Sequence, residues 1–107
     1  MNARVDGIGL RFLVDTGATS VVLSKEDARR LGIDPASLSY DRTVQTANGV
    51  TRAAPIRLRE LAIGPIVETD VPALVNATPL PQPLLGMRLL ERLGAVEIKS
   101  GRLTLQR

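Results

Sequence analysis

Apolar and polar positions along the chain fall into short bursts separated by turn residues, a spacing that favours strands over long helices. Leu10, Phe12 and Val14 alternate with Arg11 and Leu13, a period of two that gives an extended segment one apolar face. Residues 3–5 and 10–14 are expected to be two strands around the turn Asp6-Gly7-Ile8-Gly9. The run Val21-Val22-Leu23 is apolar throughout and fits a buried strand. Residues 43–46 and 50–53 flank Ala47-Asn48-Gly49, and Asn-Gly is a strong signal for a two-residue hairpin turn. Residues 56–63 and 66–75 read as a further strand pair around Gly64-Pro65. Beyond a Pro-rich loop at 78–83, residues 95–99 and 102–106 form a last hairpin around Ser100-Gly101.

Two short helices interrupt this pattern. Ser24 stands where an N-cap belongs, with Asp27 three residues on, a capping box with Asp in place of Glu. Ala28 and Leu31 supply an inner face, Gly32 a left-handed stop, and Asp34-Pro35 prevents continuation. Residues 87–93 predict a second helix that ends at Gly94. The order of elements and the 107-residue length predict one domain over residues 1–107. The expected fold is mainly β: a small closed, barrel-like structure with one or two short helices.

Composition narrows the chemistry. The chain holds no Cys and no His, which removes thiolate nucleophiles, imidazole bases, disulfides and the common zinc ligands together. Catalysis would rest on carboxylates, hydroxyls, Lys or backbone groups, and neither a metal nor a cofactor is expected. Hydrophobic residues make up 44%, yet the chain has one Phe, one Tyr and no Trp, so aliphatic side chains must build the core. The net charge of +3 comes mostly from scattered Arg without interleaved aromatics, the signature of a solvated surface rather than of a nucleic-acid site. No apolar run approaches the roughly 20 residues of a membrane helix. The N-terminus lacks a signal-peptide pattern. The expectation is a soluble, cytoplasmic protein or the soluble portion of something longer. The acids Asp6, Glu26, Asp27, Asp41, Glu60, Glu68, Asp70, Glu91 and Glu97 read as surface or turn residues. Asn76-Ala77-Thr78 matches a glycosylation acceptor, a triplet common by chance.

One segment carries more. In Phe12-Leu13-Val14-Asp15-Thr16-Gly17-Ala18 an apolar strand leads into an acid, a hydroxyl, a glycine and a small residue. An Asp at the end of a buried strand is held near the core, and the Gly brings backbone N–H groups close to it. Taken alone, the triplet would be an ordinary Asx turn. With its flanks, Leu13 to Thr19 resembles the active-site motif of the retropepsin-like aspartic proteases. Leu84-Leu85-Gly86 resembles that family's second motif, two hydrophobics and a Gly before the C-terminal helix, which braces the active-site loop. The hairpin at Ala47, Asn48, Gly49 and Val50 lies where the family has its flap. The resemblance covers essentially the whole chain and is greatest to the bacterial branch, in which Asp-Thr-Gly-Ala-Thr-Ser leads into a helix.

The resemblance implies half an enzyme. Pepsin-type chains hold two such motifs, and this one holds a single Asp15, with Thr16, Gly17 and Ala18 as its loop. A two-fold homodimer would bring two Asp15 carboxylates together to share one proton and activate a water for peptide-bond hydrolysis. The partners implied are a second copy of the chain and a peptide or protein substrate, with aliphatic residues such as Val50, Leu84 and Leu85 lining the cleft. Retroviral members have an Asp–Arg pair beside the two motifs. Here those positions are Thr19 and Met87, with Arg88 one place later, so the pair is expected to be absent. Family members often carry a membrane anchor, which would lie outside this chain. The competing reading is a retropepsin-fold module that dimerises and binds peptide strands with little or no cleavage.

Overall fold

In the computed structural model the described residues are 1–15, 20–46, 49–92, 95–99 and 102–106. Strands dominate, as the period-two pattern predicts. β1 (Asn2–Val5) and β2 (Ile8–Arg11) form a hairpin whose ladder closes on Asp6 and Gly7. The turn is thus shorter than Asp6-Gly7-Ile8-Gly9. Asp6 ties it to a distant strand: its N–H donates to Glu60 O at 3.0 Å, and its Oδ1 accepts from Glu60 N at 2.9 Å.

The segment 10–14 does not stay one strand. Phe12 still pairs with Met1, its N donating to Met1 O at 2.7 Å and its O accepting from Met1 N at 2.8 Å. One residue on, Leu13 N donates to Pro83 O at 2.8 Å, and β3 (Leu13–Val14) runs parallel to β8 (Leu84–Leu85). The chain changes partners at Phe12, whose ring is fully buried.

β4 (Val21–Leu23) is buried at every position, because it lies between β7 (Ile66–Asn76), to which it is parallel, and β8. Helix α1 (Lys25–Arg30) follows, with the full capping box: Asp27 N donates to Ser24 Oγ at 3.0 Å and Ser24 N to Asp27 Oδ2 at 3.1 Å. Gly32 ends it at φ +82°. A single 3₁₀ turn at Pro35–Ser37, capped by Asp34, was not foreseen.

Residues 50–53 and 56–63 belong to one strand, β6 (Gly49–Ile63), which runs through Pro55. Ala77 N donates to Arg52 O, so by antiparallel alternation Ala54, Ile56 and Leu58 make the bonds to β7 and Pro55 turns its nitrogen the other way. On that side β6 pairs with β5 (Arg42–Thr46) up to Ala53 and with β1 from Leu61, so Pro55 sits in the gap between them and costs no ladder bond. The burial period then slips. Leu58 and Leu61 are both buried, as are Glu68 and Val71 across from them, and Asp70 takes φ +53°. Both strands slip together at Arg59 and Asp70, which preserves register.

The sheet order is β2-β1-β6-β7-β4-β8-β3, with β5 also on β6. The expected closed barrel is therefore corrected to an open, curled sheet. Its edges β2 and β3 meet only through their covalent link at Phe12, because the chain leaves one end of the sheet to join the other instead of pairing sideways. Helix α2 (Met87–Arg92) follows β8, and β9 (Ala95–Lys99) pairs with β10 (Arg102–Gln106). The main core gathers Val5, Leu10, Phe12, Leu23, Leu58, Leu61 and Leu85. A smaller cluster of Val22, Val44, Ala53 and Leu84 joins the base of the β5–β6 hairpin to β8.

Candidate active site

Asp15 stands at the end of β3, and the path of the backbone explains why. Leu13 and Val14 pair with Leu84 and Leu85, and Asp15 N donates to Leu85 O at 3.0 Å. The two motifs recognised in the sequence are thus adjacent strands of one sheet. Asp15 is only 7% exposed, a degree of burial that is rare for a carboxylate without a purpose in the fold or the chemistry. Leu13, two residues earlier and on the same side of the strand, is 48% exposed.

The loop residues Thr16, Gly17 and Ala18, and Thr19 after them, lie outside the described residues, as do Ala47 and Asn48 of the hairpin. The far end of the loop is visible at Ser20. A Cβ added to Gly86 would lie 2.5 Å from Ser20 N and 2.7 Å from Ser20 C. Only a hydrogen at Gly86 lets β8 lie flat against the chain as it returns from the loop. The loop is therefore gripped at both ends by the second motif: Asp15 by Leu85, Ser20 by Gly86. Within that motif the two leucines divide. Leu84 faces the small cluster with Val22, whereas Leu85 is fully buried in the main core and belongs to no cleft wall.

Thr46 pairs with Gly49, the first residue of β6, at φ +107°. The turn expected at Asn48-Gly49 reaches outside the described residues. Val50, beside Gly49, is 70% exposed. The base of the hairpin is tied down by contacts that sequence reasoning missed. Ala77 N donates to Arg52 O at 2.8 Å, Thr51 Oγ1 meets Thr78 Oγ1 at 3.1 Å, and Asn76 Nδ2 donates to Thr78 O at 2.9 Å and to its Oγ1 at 3.1 Å. Asn76 is 1% exposed, which rules it out as a glycosylation acceptor in the folded chain. The Asn-Ala-Thr triplet is a structural tie, and no local signal distinguishes the two.

Two acids read as surface residues are buried: Asp27, in the capping box, and Glu68, turned inward by the strand slip. Arg88 stays exposed on α2. Away from Asp15, burial pushes the Tyr40 phenol above its ordinary value of 10.0, with Arg29 opposing the rise and Asp34 adding to it. Its hydroxyl donates to Pro35 O at 2.8 Å, and Lys25 Nζ sits 5.0 Å over the ring. Among the described residues no helix is long and apolar enough to cross a membrane.

Comparison with known proteins agrees with this geometry. Residues 1–92 match the family described as gag-polyprotein putative aspartyl protease, and the chain belongs to that family. It is 45% identical over 105 residues to an uncharacterized protein in the cobV 5′ region of Sinorhizobium sp., covering 97% of this chain and 45% of the relative. An uncharacterized protein of Rickettsia prowazekii (strain Madrid E) is 46% identical over 92 residues, 86% of this chain and 39% of the relative. The chain thus spans less than half the length of these two relatives. Among solved structures it is similar to a retropepsin-like aspartic protease from Rickettsia conorii, with TM-score 0.81 and 39% identity over 96% of this chain and 76% of that one. The EIAV protease complexed with the inhibitor HBY-793 shares the fold at TM-score 0.70, with 21% identity over 89% of this chain and 86% of that one. The fold is that of the retropepsin-like proteases.

Proposed function

We propose that the protein is an aspartic endopeptidase whose active site forms when two copies bring their Asp15 residues together. The observation that carries this reading is Asp15 itself, a buried carboxylate at a strand end, braced through its own N–H by Leu85 of the second motif. Residues 1–107 hold one such active-site motif, and a second copy of the chain would supply the other member of the pair. Thr16, Gly17 and Ala18 would complete the loop around each carboxylate. Strand β10 (Arg102–Gln106) is the segment proposed to add to the interface, since among the described residues it pairs with β9 alone and so leaves an open edge.

Two carboxylates in hydrogen-bond contact share one proton, because both cannot ionise side by side. The ionised member takes a proton from a bound water as the water oxygen attacks the scissile carbonyl carbon. The protonated member donates a hydrogen bond to the carbonyl oxygen and stabilises the charge that develops there. Collapse of the tetrahedral intermediate breaks the C–N bond, with a proton delivered to the departing amine. The substrate lies extended beneath the hairpin of Ala47, Asn48, Gly49 and Val50, which closes over it and pairs with its backbone. The small cluster around Val22 and Leu84 supports the floor.

The test is cleavage of a peptide library by the wild type and by Asp15→Asn across acidic to neutral pH. Cleavage by the wild type alone is expected, inhibited by a statine-type peptide and indifferent to chelators. Equal cleavage by Asp15→Asn would remove Asp15 from the mechanism.

A further inference from the structure

An opening of about 620 Å³ lies where Ser20, the start of β5, the middle of β6 and β7, and α2 come together. Its charged lining is all of one sign: Arg42, which opens β5, Arg57 on β6 and Arg88 on α2, with no carboxylate among its walls. Ser20, gripped by Gly86, forms the side nearest the active-site loop, and Pro55 and Leu74 supply apolar walls. Arg57 is already engaged, its Nη1 lying 3.2 Å from Asp70 Oδ2. Among the described residues neither Arg42 nor Arg88 makes an ion pair. Two unneutralised guanidiniums beside an apolar wall suit a side chain with a short methylene stem and an anionic head.

We infer that this opening is a subsite for an acidic side chain, Asp or Glu, of the substrate peptide, placed outside the residues that flank the scissile bond. The inference rests on the reading of Asp15 as the catalytic residue of a peptide cleft. Three elements meet there for reasons the fold supplies. Arg42 begins the hairpin that covers substrate, Ser20 leaves the active-site loop, and Arg88 follows Gly86 by two residues. A chain extended beneath the hairpin passes from the Asp15 floor towards this opening, and its side chains point alternately into and away from the sheet. In a two-fold dimer the subsite occurs twice, once for each side of the scissile bond, so substrates with acids on both flanks gain twice. Guanidinium groups at a partly open site are worth a modest factor each, and salt weakens them.

Binding measured apart from turnover tests the inference. Fluorescein-labelled peptides in which each position is in turn Glu or Gln would be titrated with Asp15→Asn protein and followed by anisotropy. One position per flank should bind about 5-fold to 10-fold more tightly as Glu. The difference should shrink at high salt and fall below about twofold in Arg42→Gln/Arg88→Gln. Peptides that bind with no position favouring Glu, or a preference that survives the double variant, would overturn the subsite while leaving the Asp15 reading intact. Failure of every peptide to bind, together with absence of cleavage by wild type, would overturn both.

Discussion

Gly86 lies so close to the backbone of Ser20 that no side chain fits between them. This contact, together with the hydrogen bond from Asp15 N to Leu85 O at 3.0 Å, makes Leu85 and Gly86 a clamp on Asp15 and Ser20. The second motif therefore has a mechanical meaning in this chain: its main chain, and the absence of a side chain at its third position, set where Asp15 sits.

Gly86→Ala should accordingly be costly. The overlap is with backbone, which cannot swing aside, and overpacking of this kind costs about 1–3 kcal/mol. For a domain of this size that lowers Tm by roughly 4–8 °C per kcal/mol. Gly9→Ala is the control, since an added Cβ there meets nothing within 4 Å, and its effect should stay within about 0.5 kcal/mol. Equal thermal melts for the two variants would contradict the clamp.

Gly49 is constrained differently. An added Cβ would meet nothing within 4 Å, but φ +107° disfavours any L side chain. Gly49→Val should cost about 1–2 kcal/mol through backbone strain alone. If the hairpin closes over substrate, kcat/KM falls as well. Kinetics unchanged from the wild type would separate Gly49 from the closing movement.

The capping box of α1 gives a prediction independent of catalysis. Ser24→Ala removes the acceptor for Asp27 N and the donor to Asp27 Oδ2, at 3.0 and 2.8 Å, in a buried setting. A loss of about 1 kcal/mol is expected in urea unfolding, with Ser24→Gly losing less.

Tyr40 offers a clean optical probe, because the chain has one Tyr and no Trp. Burial raises its phenol above 10.0, so the folded chain holds the proton more firmly than the unfolded chain does. The associated stability is present in full below the unfolded value and is lost as pH rises through the folded one. Absorbance of the phenolate should rise with a midpoint above that of the urea-unfolded chain. Coincident midpoints would contradict the raised value.

The features visible in the sequence were those written in local chemistry. Ser24, Asp27 and Gly32 mark both ends of α1 because caps are short-range, and Val21-Val22-Leu23 announces a strand buried on both faces. The candidate site was legible as two motifs. Their adjacency was not, because the parallel pairing of Leu13 and Val14 with Leu84 and Leu85 joins segments some 70 residues apart. For the same reason the partner exchange at Phe12 was hidden: the alternation from Leu10 to Val14 runs unbroken through it, and only Pro83 and Met1 reveal the change. Residues 50–53 and 56–63 read as separate strands, and their continuity through Pro55 was hidden because it depends on a gap between two neighbouring strands. The inward turn of Glu68 depends on two strands slipping in concert, which neither strand's own pattern records.

The central claim is that two Asp15 residues from two copies form one site. Titrating a fixed amount of wild-type protein with Asp15→Asn subunits, above the dimer dissociation constant and with time for exchange, tests it directly. Each variant subunit that pairs with a wild-type one spoils a site, so a ninefold excess should cut the cleavage rate about tenfold. A rate that stays constant as the variant is added would mean that each subunit works alone, and would contradict the shared pair.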